Sequence, residues 1–286
     1  MTSSTPTGTP PSVPMTVTHY RRFERTDRLL HGFLMFSFLG LAFTGMPLLF
    51  SHEPWAASLA RIFGGFHAAG LIHRFCAIVM ITVFVIHLSR IVERLFIRKD
   101  LGVLWGPASM VPQPRDFFEL IAHMRWFVGL GPQPRFEHFT YWEKFDYWAV
   151  FWGMGIIGGS GLVLWFPELF AHLLPGWLFN VAMLIHGEEA LLAVGFIFTI
   201  HFFNGHLRPE KFPMDSVIFT GRVTVHEMIE ERQDEYERLV TLGRIDELAS
   251  TASPRWVYTL GRSVGAVAVT LGLILVGLIL FALLTK

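Results

Sequence analysis

The sequence predicts an all-α integral membrane protein: a four-helix bundle followed by a fifth, C-terminal transmembrane helix. Hydrophobic residues make up 52% of the 286 positions and charged residues only 16%, which is too apolar for an ordinary soluble domain. Five segments reach the roughly 20 mostly apolar residues that cross a bilayer as a helix. They run at about residues 29–50, 68–96, 145–166, 177–203 and 257–284.

The chain before the first apolar segment is rich in Thr, Ser and Pro and contains no apolar run. This composition is typical of a disordered segment and lacks the apolar core of a signal peptide. We therefore predict a disordered cytosolic N-terminus over residues 1–20, followed by a four-helix domain over residues 21–220. The strongly charged stretch 221–256 is predicted to be a cytosolic helical segment, and residues 257–286 hold the C-terminal transmembrane helix.

The loops on the two sides of the predicted bundle differ in character. Residues 51–67 and 167–176 form two outer connections, and the first of them has some amphipathic character. The inner connection, residues 97–144, carries Trp105, Trp126 and Trp142 among scattered Arg and Pro residues. This pattern favours short helices that lie at the level of the lipid headgroups.

The positive charges predict the orientation of the bundle. With five helices, all but three of the 23 Lys and Arg residues fall on the side of the N-terminus, and the three on the other side are Arg61, Arg74 and Lys286. By the positive-inside rule, the N-terminus is cytoplasmic and the C-terminus lies outside.

The chain has a single cysteine, Cys76, which lies inside the second predicted helix. One thiol cannot form an intrachain disulfide, a cysteine-ligated iron–sulfur cluster or a C-x-x-C-H haem attachment. Any redox cofactor must therefore be held by other ligands.

Two pairs of histidines stand out inside the second and fourth predicted helices: His73 with His87, and His186 with His201. Their spacings of 14 and 15 residues correspond to about 21 and 22 Å along a helix axis. For each histidine alone, a packing hydrogen bond or a wet cavity is as good an explanation as a functional role, but these explanations account poorly for four at matched spacing. The two helices run parallel, so the spacing pairs His73 with His186 near the outer face and His87 with His201 near the inner face. Two imidazoles on opposite sides of an iron are what a b-type haem requires, and two stacked haems would carry electrons across the bilayer.

The residues around these histidines fit the same interpretation less specifically. Arg74 and Arg90 are suited to haem propionates, although Arg90 is also explained as an ordinary charge on the inner side. Glycines in the first and third helices would let a porphyrin approach the backbone, and close packing of helices explains them equally well. They are Gly32, Gly40, Gly45, Gly153, Gly155, Gly158, Gly159 and Gly161.

Three stretches of the chain resemble a known family. They are RTDRLLHGFLMFSFLGLAFTGMPL, LIHRFCAIVMITVFVIHL and IHGEEALLAVGFIFTIHFFNGHLRPEKFPMD. They are similar to the di-haem cytochrome b subunits of membrane formate dehydrogenases, nickel–iron hydrogenases and thiosulfate reductases. The resemblance covers residues 21–220, and its most specific parts are the R-x-x-H opening of the first helix and the paired histidines of the fourth. The fifth helix has no counterpart there, and we expect either a docking surface or an added anchor.

The resemblance and the spacing disagree about one ligand. The resemblance implies that His73 and His186 hold the outer haem, and that His31 and His201 hold the inner haem. Spacing alone nominates His87 in place of His31. Both lie near the inner face, so depth does not decide; we favour His31 slightly and retain His87 as a competitor or a supporting residue.

The resemblance also implies the function. We expect a di-haem cytochrome b in a bacterial cytoplasmic (inner) membrane, with a periplasmic C-terminus, that relays electrons between membrane quinone and a partner. The partner would be a periplasmic iron–sulfur or multihaem c-type subunit, and nothing in the sequence points to nucleic acid. His206, Asn204 and Lys211 are candidates near a quinone headgroup, and Glu188 and Glu189 are candidates for proton handling. The chain would not perform substrate chemistry itself, because it has no phosphate-binding glycine loop, nicotinamide or flavin signature, or cysteine cluster.

Two other classes of function remain open at this point. A proton-coupled transporter or channel would line a polar path with the membrane His and Glu residues and would need no haem. A membrane scaffold without redox activity would tolerate the change of His73 or His186 to Leu with no loss beyond assembly.

Overall fold

The computed structural model describes residues 17–285 of the chain, so most of the predicted disordered lead lies outside the described residues. The chain is mostly helical, with a small antiparallel sheet. The helices are α1 (Arg25–Leu49), α2 (Pro54–Ile62), α3 (Phe66–Val92), α4 (Pro114–Phe127), α5 (Tyr141–Gly153), α6 (Gly159–Trp165), α7 (Pro167–Ala171), α8 (Trp177–Phe196), α9 (Val217–Thr220), α10 (Val225–Glu231), α11 (Gln233–Thr241) and α12 (Arg255–Leu284). The strands are β1 (His19–Arg21), β2 (Arg222–Thr224) and β3 (Ala249–Ser250).

Five helices in the described part of the chain are long and apolar enough to cross a membrane. These five spans are Arg25–Leu49, Phe66–Ile97, Tyr141–Trp165, Trp177–Leu207 and Arg255–Leu284. The prediction of a helical, multi-pass membrane protein is confirmed. Large apolar side chains such as Phe33, Phe75 and Leu192 face outward along the spans, which is the arrangement that lipid rather than water favours.

Three of the spans are interrupted by π-helical turns. They lie at Glu93–Ile97 in the second span, at Met154–Gly158 in the third, and at Ile197–His201 and Phe203–Leu207 in the fourth. A π-turn redirects the backbone and often occurs at functional sites. The third span also begins four residues earlier than predicted, because Thr140 and Glu143 exchange hydrogen bonds as a capping box.

The largest buried apolar cluster lies among α1, the fourth span and α12. It includes Met46 of α1, Phe198 and Phe202 of the fourth span, and Leu275 of α12. Gly272 of α12 makes this contact possible, because a Cβ atom there would lie 2.3 Å from the Phe198 ring. Along this contact the fifth span is an integral part of the core.

The end of the bundle at which α1, α5 and α12 begin carries the sheet, and we call it the sheet end. The strand order is β2-β1-β3, with Tyr20 opposite both Val223 and Ala249. Tyr20 is buried with Val217, Met228 and Leu239 in a second small core. Two predictions are corrected here: His19 and Tyr20 of the lead are ordered in a strand, and residues 221–256 contain strands as well as helices. These strands are too short for a sequence pattern to predict them. They form because β1 pairs with β2 and β3, which lie far away in the sequence.

The opposite end of the bundle carries α2 and α7, and we call it the α2 end.

At the sheet end, α4 turns its polar side toward the protein: Asp116 forms an ion pair with Lys144 at 2.8 Å, and His123 bonds to the Tyr141 hydroxyl at 3.1 Å. Its Phe117, Phe118, Ile121, Met124 and Phe127 side chains are exposed. This apolar outer face fits the predicted helix at the level of the headgroups.

Candidate histidine sites in the membrane bundle

His73 of α3 and His186 of α8 lie together toward the α2 end. Their ring centroids are 6.3 Å apart, and the ring planes are inclined by 75°. The pairing follows from the parallel course of the second and fourth spans. We call these two residues the α2-end pair.

His73 is held by the first span. A hydrogen bond of 3.1 Å joins its Nδ1 to Thr44 Oγ1, and the Thr44 hydroxyl donates in turn to the Gly40 carbonyl at 2.6 Å. Because the Thr44 hydroxyl donates to Gly40, its oxygen accepts from His73 Nδ1–H, and in the neutral ring Nε2 is then the nitrogen without a proton. Gly45 leaves room for the ring, since a Cβ atom there would lie 3.0 Å from His73 Cε1.

His186 is held in the same way by the third span. Its Nδ1 lies 2.9 Å from the Ile157 carbonyl, which belongs to the π-turn Met154–Gly158. Gly161 seats the ring, because a Cβ atom there would lie 2.9 Å from His186 Cε1. A carbonyl oxygen can only accept, so His186 donates from Nδ1–H, and in the neutral ring Nε2 is then the nitrogen that can accept.

A second group of histidines lies at the sheet end. His31 of α1 is close enough to His201 and His206 of the fourth span for their charges to interact. His201 Nδ1 bonds to Asp146 Oδ2 of α5 at 2.9 Å. The other carboxylate oxygen of Asp146 and the Nδ1 atom of His206 are buried and have no hydrogen-bond partner among the described residues.

His87, the competitor of His31, faces the third span. A hydrogen bond of 2.9 Å joins its Nε2 to the Tyr147 hydroxyl, and its ring packs against Tyr147 and Phe151. His87 is therefore engaged by the third span, whereas His31 lies within electrostatic range of His201. The spacing of His73 and His87 along one helix gives no information about partners on other helices. It therefore could not show that His87 bonds to Tyr147.

A cavity of about 360 Å³ adjoins His31 at the sheet end. Arg25 and Arg28 line it together with apolar residues that include Leu29, Met35 and Phe219. Arg28 also donates to the Phe219 carbonyl. The cavity joins cationic and apolar walls next to a histidine of the sheet-end group.

The two predicted propionate partners differ in their surroundings. Arg74 is exposed, and its guanidinium lies over the Trp165 ring, 5.7 Å from the ring centroid. Arg90 forms an ion pair with Asp27 at 2.6 Å, which ties the second span to the first. Arg90 is thus already bound to a carboxylate, whereas the contact of Arg74 is an aromatic face.

The predicted glycines fall into two groups. Gly40, Gly45 and Gly161 are covered by the side chains of Cys76, His73 and His186, respectively. Gly153 and Gly158 contact side chains of their own turn, and Gly32, Gly155 and Gly159 have open space where a Cβ atom would lie. Both readings thus apply: some glycines seat histidine rings or pack helices, and others border free space.

The remaining polar candidates have varied partners. Glu189 accepts a hydrogen bond from Trp152 Nε1 at 3.1 Å, and Glu188 is exposed on the fourth span. Lys211 is buried among three carboxylates at the sheet end, those of Asp215, Glu227 and Glu231. Lys211 therefore joins the end of the fourth span to α10. Asn204 lies in the last π-turn of the fourth span.

Sequence reasoning missed the residues that orient the histidines: Thr44, Asp146 and the carbonyl of Ile157. One signal was present for Asp146, because an acidic residue inside an apolar span is a functional candidate by default. No pattern in the sequence marks the Thr44 hydroxyl or the Ile157 carbonyl, since both act through contacts between helices.

The fold and these contacts define a multi-pass helical membrane protein with histidine groups at two depths of its bundle. Among the described residues, no three His, Cys, Asp or Glu side chains converge as ligands for a bare metal ion. No protein-family model matches the chain, and no curated protein is significantly similar to it.

Proposed function

We propose that this protein is a di-haem cytochrome b that relays electrons across the membrane between quinone and a partner redox subunit. One haem would be held by the α2-end pair, His73 and His186. The other would be held by His31 and His201 at the sheet end. The proposal rests on the geometry of the histidines, joined with the motifs of the first, second and fourth spans.

The observation that carries it is the separation of the α2-end pair. Two histidine–metal bonds of about 2 Å each, added to the distance from each ring centre to its nitrogen, would place two facing ring centres about 6 Å apart. The observed separation of the ring centroids is 6.3 Å. Both rings have their Nδ1 atoms engaged and their Nε2 atoms available, which is the arrangement of histidines that bind a metal.

The sheet-end group supports His31 as the partner of His201. His201 has the same arrangement, with Nδ1 on a carboxylate and Nε2 available. His31 lies near it, whereas the Nε2 atom of His87 is engaged by Tyr147. Fifteen residues separate His186 from His201, so the two sites would lie about 22 Å apart along the fourth span.

A bound haem would supply a one-electron carrier at each depth. The protein would position the haem ligands. Thr44, Ile157 and Asp146 orient the histidine rings, and the glycines under the rings let the helices approach each other. Arg74, exposed over Trp165, is suited to a propionate.

We assign the quinone to the sheet end and the partner subunit to the α2 end. The cavity beside His31 combines an apolar wall for a quinone ring with the cationic side chains of Arg25 and Arg28. By the positive-inside rule the sheet end is cytoplasmic, because most Lys and Arg residues lie there. A partner on the α2 end would then be periplasmic.

One observation favours a second candidate function, a proton-coupled transporter without haem. Glu188 is exposed and Glu189 is half-buried within the fourth span, and carboxylates at such positions are typical of proton pathways. A correctly assembled protein that purifies without colour would favour this function.

The test is a reduced-minus-oxidised spectrum with pyridine haemochrome quantification of the purified protein. The wild type is expected to hold two b haems, His31→Ala to retain one, and His87→Ala to retain two. His226→Ala is the matched control, because this side chain is exposed at the sheet end. Wild-type protein that assembles with no b-type signal would overturn the proposal, and loss of a haem in His87→Ala alone would reassign the ligand.

A further inference from the structure

We propose that Asp146 is a positioning residue that lowers the reduction potential of the sheet-end haem through His201. This inference rests on the proposed function and adds a specific role for a residue of the third span. Asp146 would act on the imidazole of His201, which would hold the haem, and not on the iron itself.

The geometry of Asp146 is that of a carboxylate bonded to a ligand histidine. Its Oδ2 lies 2.9 Å from His201 Nδ1, and its side chain is largely buried, with 18% of its surface exposed. The nearby Lys144 is engaged elsewhere, by Asp116 at 2.8 Å. Among the described residues, no Arg or Lys side chain forms an ion pair with Asp146, so its charge is not neutralised by a cation.

The α2-end pair provides the contrast. His73 Nδ1 bonds to the Thr44 hydroxyl, and His186 Nδ1 bonds to the Ile157 carbonyl. Both acceptors are neutral oxygens. Three ligand rings are thus oriented by the same kind of bond, and only the His201 ring is bonded to a negative charge.

The consequence follows from electrostatics. Reduction adds one electron to the iron, with no covalent bond made or broken, so a nearby negative charge favours the oxidised state. A carboxylate on Nδ1–H also raises the basicity of the ligand, which stabilises ferric iron further. The low dielectric of the bundle makes this effect stronger than it would be in water. Asp146 therefore makes the sheet-end site a better electron donor than a neutral residue would.

The experiment is a potentiometric titration of the full-length protein, wild type and Asp146→Asn. The sheet-end component is identified as the one missing from His201→Ala. Asparagine retains the shape and an acceptor oxygen but removes the charge. We expect the ratio of reduced to oxidised sheet-end haem at a fixed potential to rise at least tenfold, equivalent to about 59 mV for a one-electron couple. The other component should not move.

Two further variants separate charge from shape. Asp146→Glu retains the carboxylate and should stay close to the wild-type potential. Asp100→Asn removes an exposed carboxylate of the same end that pairs with Arg94, and it should leave the potential unchanged. If Asp146→Asn does not load the haem, Asp146→Ser takes its place in the comparison with Asp146→Glu.

The outcomes distinguish the two proposals. Absence of b-type haem from the wild type overturns the proposed function. Two haems in Asp146→Asn with an unchanged or lower sheet-end potential overturn only the role of Asp146. If the Asn, Ser and Glu variants all fail to bind the sheet-end haem, Asp146 is needed for haem binding and its effect on the potential is not supported. This outcome also overturns the inference.

Discussion

The two histidine sites differ in what holds their rings. At the α2-end pair, the rings rest on Gly45 and Gly161 and bond to neutral oxygens of neighbouring helices. At the sheet end, His201 bonds to a carboxylate, and a cavity lined by arginines adjoins His31. The first site depends on close packing and the second on charge. The comparison indicates that steric changes should damage the α2-end pair most, and that changes of charge should act at the sheet end.

The largest effect is expected from Gly161→Val. The first added carbon would lie 2.9 Å from His186 Cε1, and the ring cannot yield without losing its bond to Ile157. We expect loss of one of the two haems, measured by pyridine haemochrome, while the sheet-end haem remains. Gly155→Val is the matched control, because that position borders open space in the same span. Equal loss in both variants would mean that valine disturbs the helix rather than the seat of the ring.

The next largest effect is expected on stability, from the buried ion pairs of Lys211 at the sheet end. Lys211 is buried, with 6% of its side chain exposed, and lies 2.8 Å from Glu231. Lys211→Met should lower the free energy of unfolding by about 3–5 kcal/mol, because it leaves buried carboxylates uncompensated. Chemical denaturation, followed with a probe at the sheet end, measures this free energy of unfolding. Arg244→Met, which breaks the exposed pair with Glu247, should leave stability unchanged; similar loss in both would show that burial does not matter here.

A smaller effect is expected from Thr44→Val, which retains the shape of the side chain and removes the acceptor for His73 Nδ1. Loss of such a supporting bond typically weakens metal binding at least tenfold. We expect the α2-end haem to be lost about tenfold more readily to a haem-binding acceptor protein. Thr82→Val is the control, because in the described part of the chain its hydroxyl bonds within its own helix, to Ile78. No difference between the two variants would remove Thr44 from the site.

The smallest effect is a dependence of stability on pH at the sheet end. Burial lowers the pKa of His138, whose Nδ1 bonds to Glu235 at 2.5 Å. Burial alone would raise the pKa of Glu235, but His138, Arg22 and Arg232 outweigh it and lower that pKa. Both folded-state pKa values lie below the unfolded ones. The contribution of His138 is therefore present above about pH 6.5 and is lost as the pH falls below it, whereas that of Glu235 is lost only below about pH 4.5.

Thermal unfolding between about pH 8 and pH 5 measures this dependence. His138→Gln should flatten the acid side of the profile, because it removes the group that must take up a proton. An acid limb as steep as that of the wild type would show that other groups cause the loss.

Much of the helical architecture was predictable from the apolar runs along the sequence. The five spans and their order follow from apolar runs that no soluble fold tolerates, and the structure has helices at all five positions. The parallel course of the second and fourth spans also follows from counting helices, and it brings His73 beside His186. The ends of the elements were less predictable: Thr140 extends the third span through a capping box, and His19 and Tyr20 enter a sheet with partners about 200 residues away.

The sequence by itself determined a membrane bundle with histidines at two depths, because hydropathy and helical periodicity are properties of each segment alone. Only the tertiary structure decided which histidines meet. His87 is bonded to Tyr147, whereas His31 lies within electrostatic range of His201, although both lie near the same end of the bundle. The rotation of each helix about its own axis settles this, and that rotation depends on packing between helices, such as Gly40 against Cys76 and Gly272 against Phe198. For the same reason the partners Thr44, Ile157 and Asp146 became visible only when the helices were assembled.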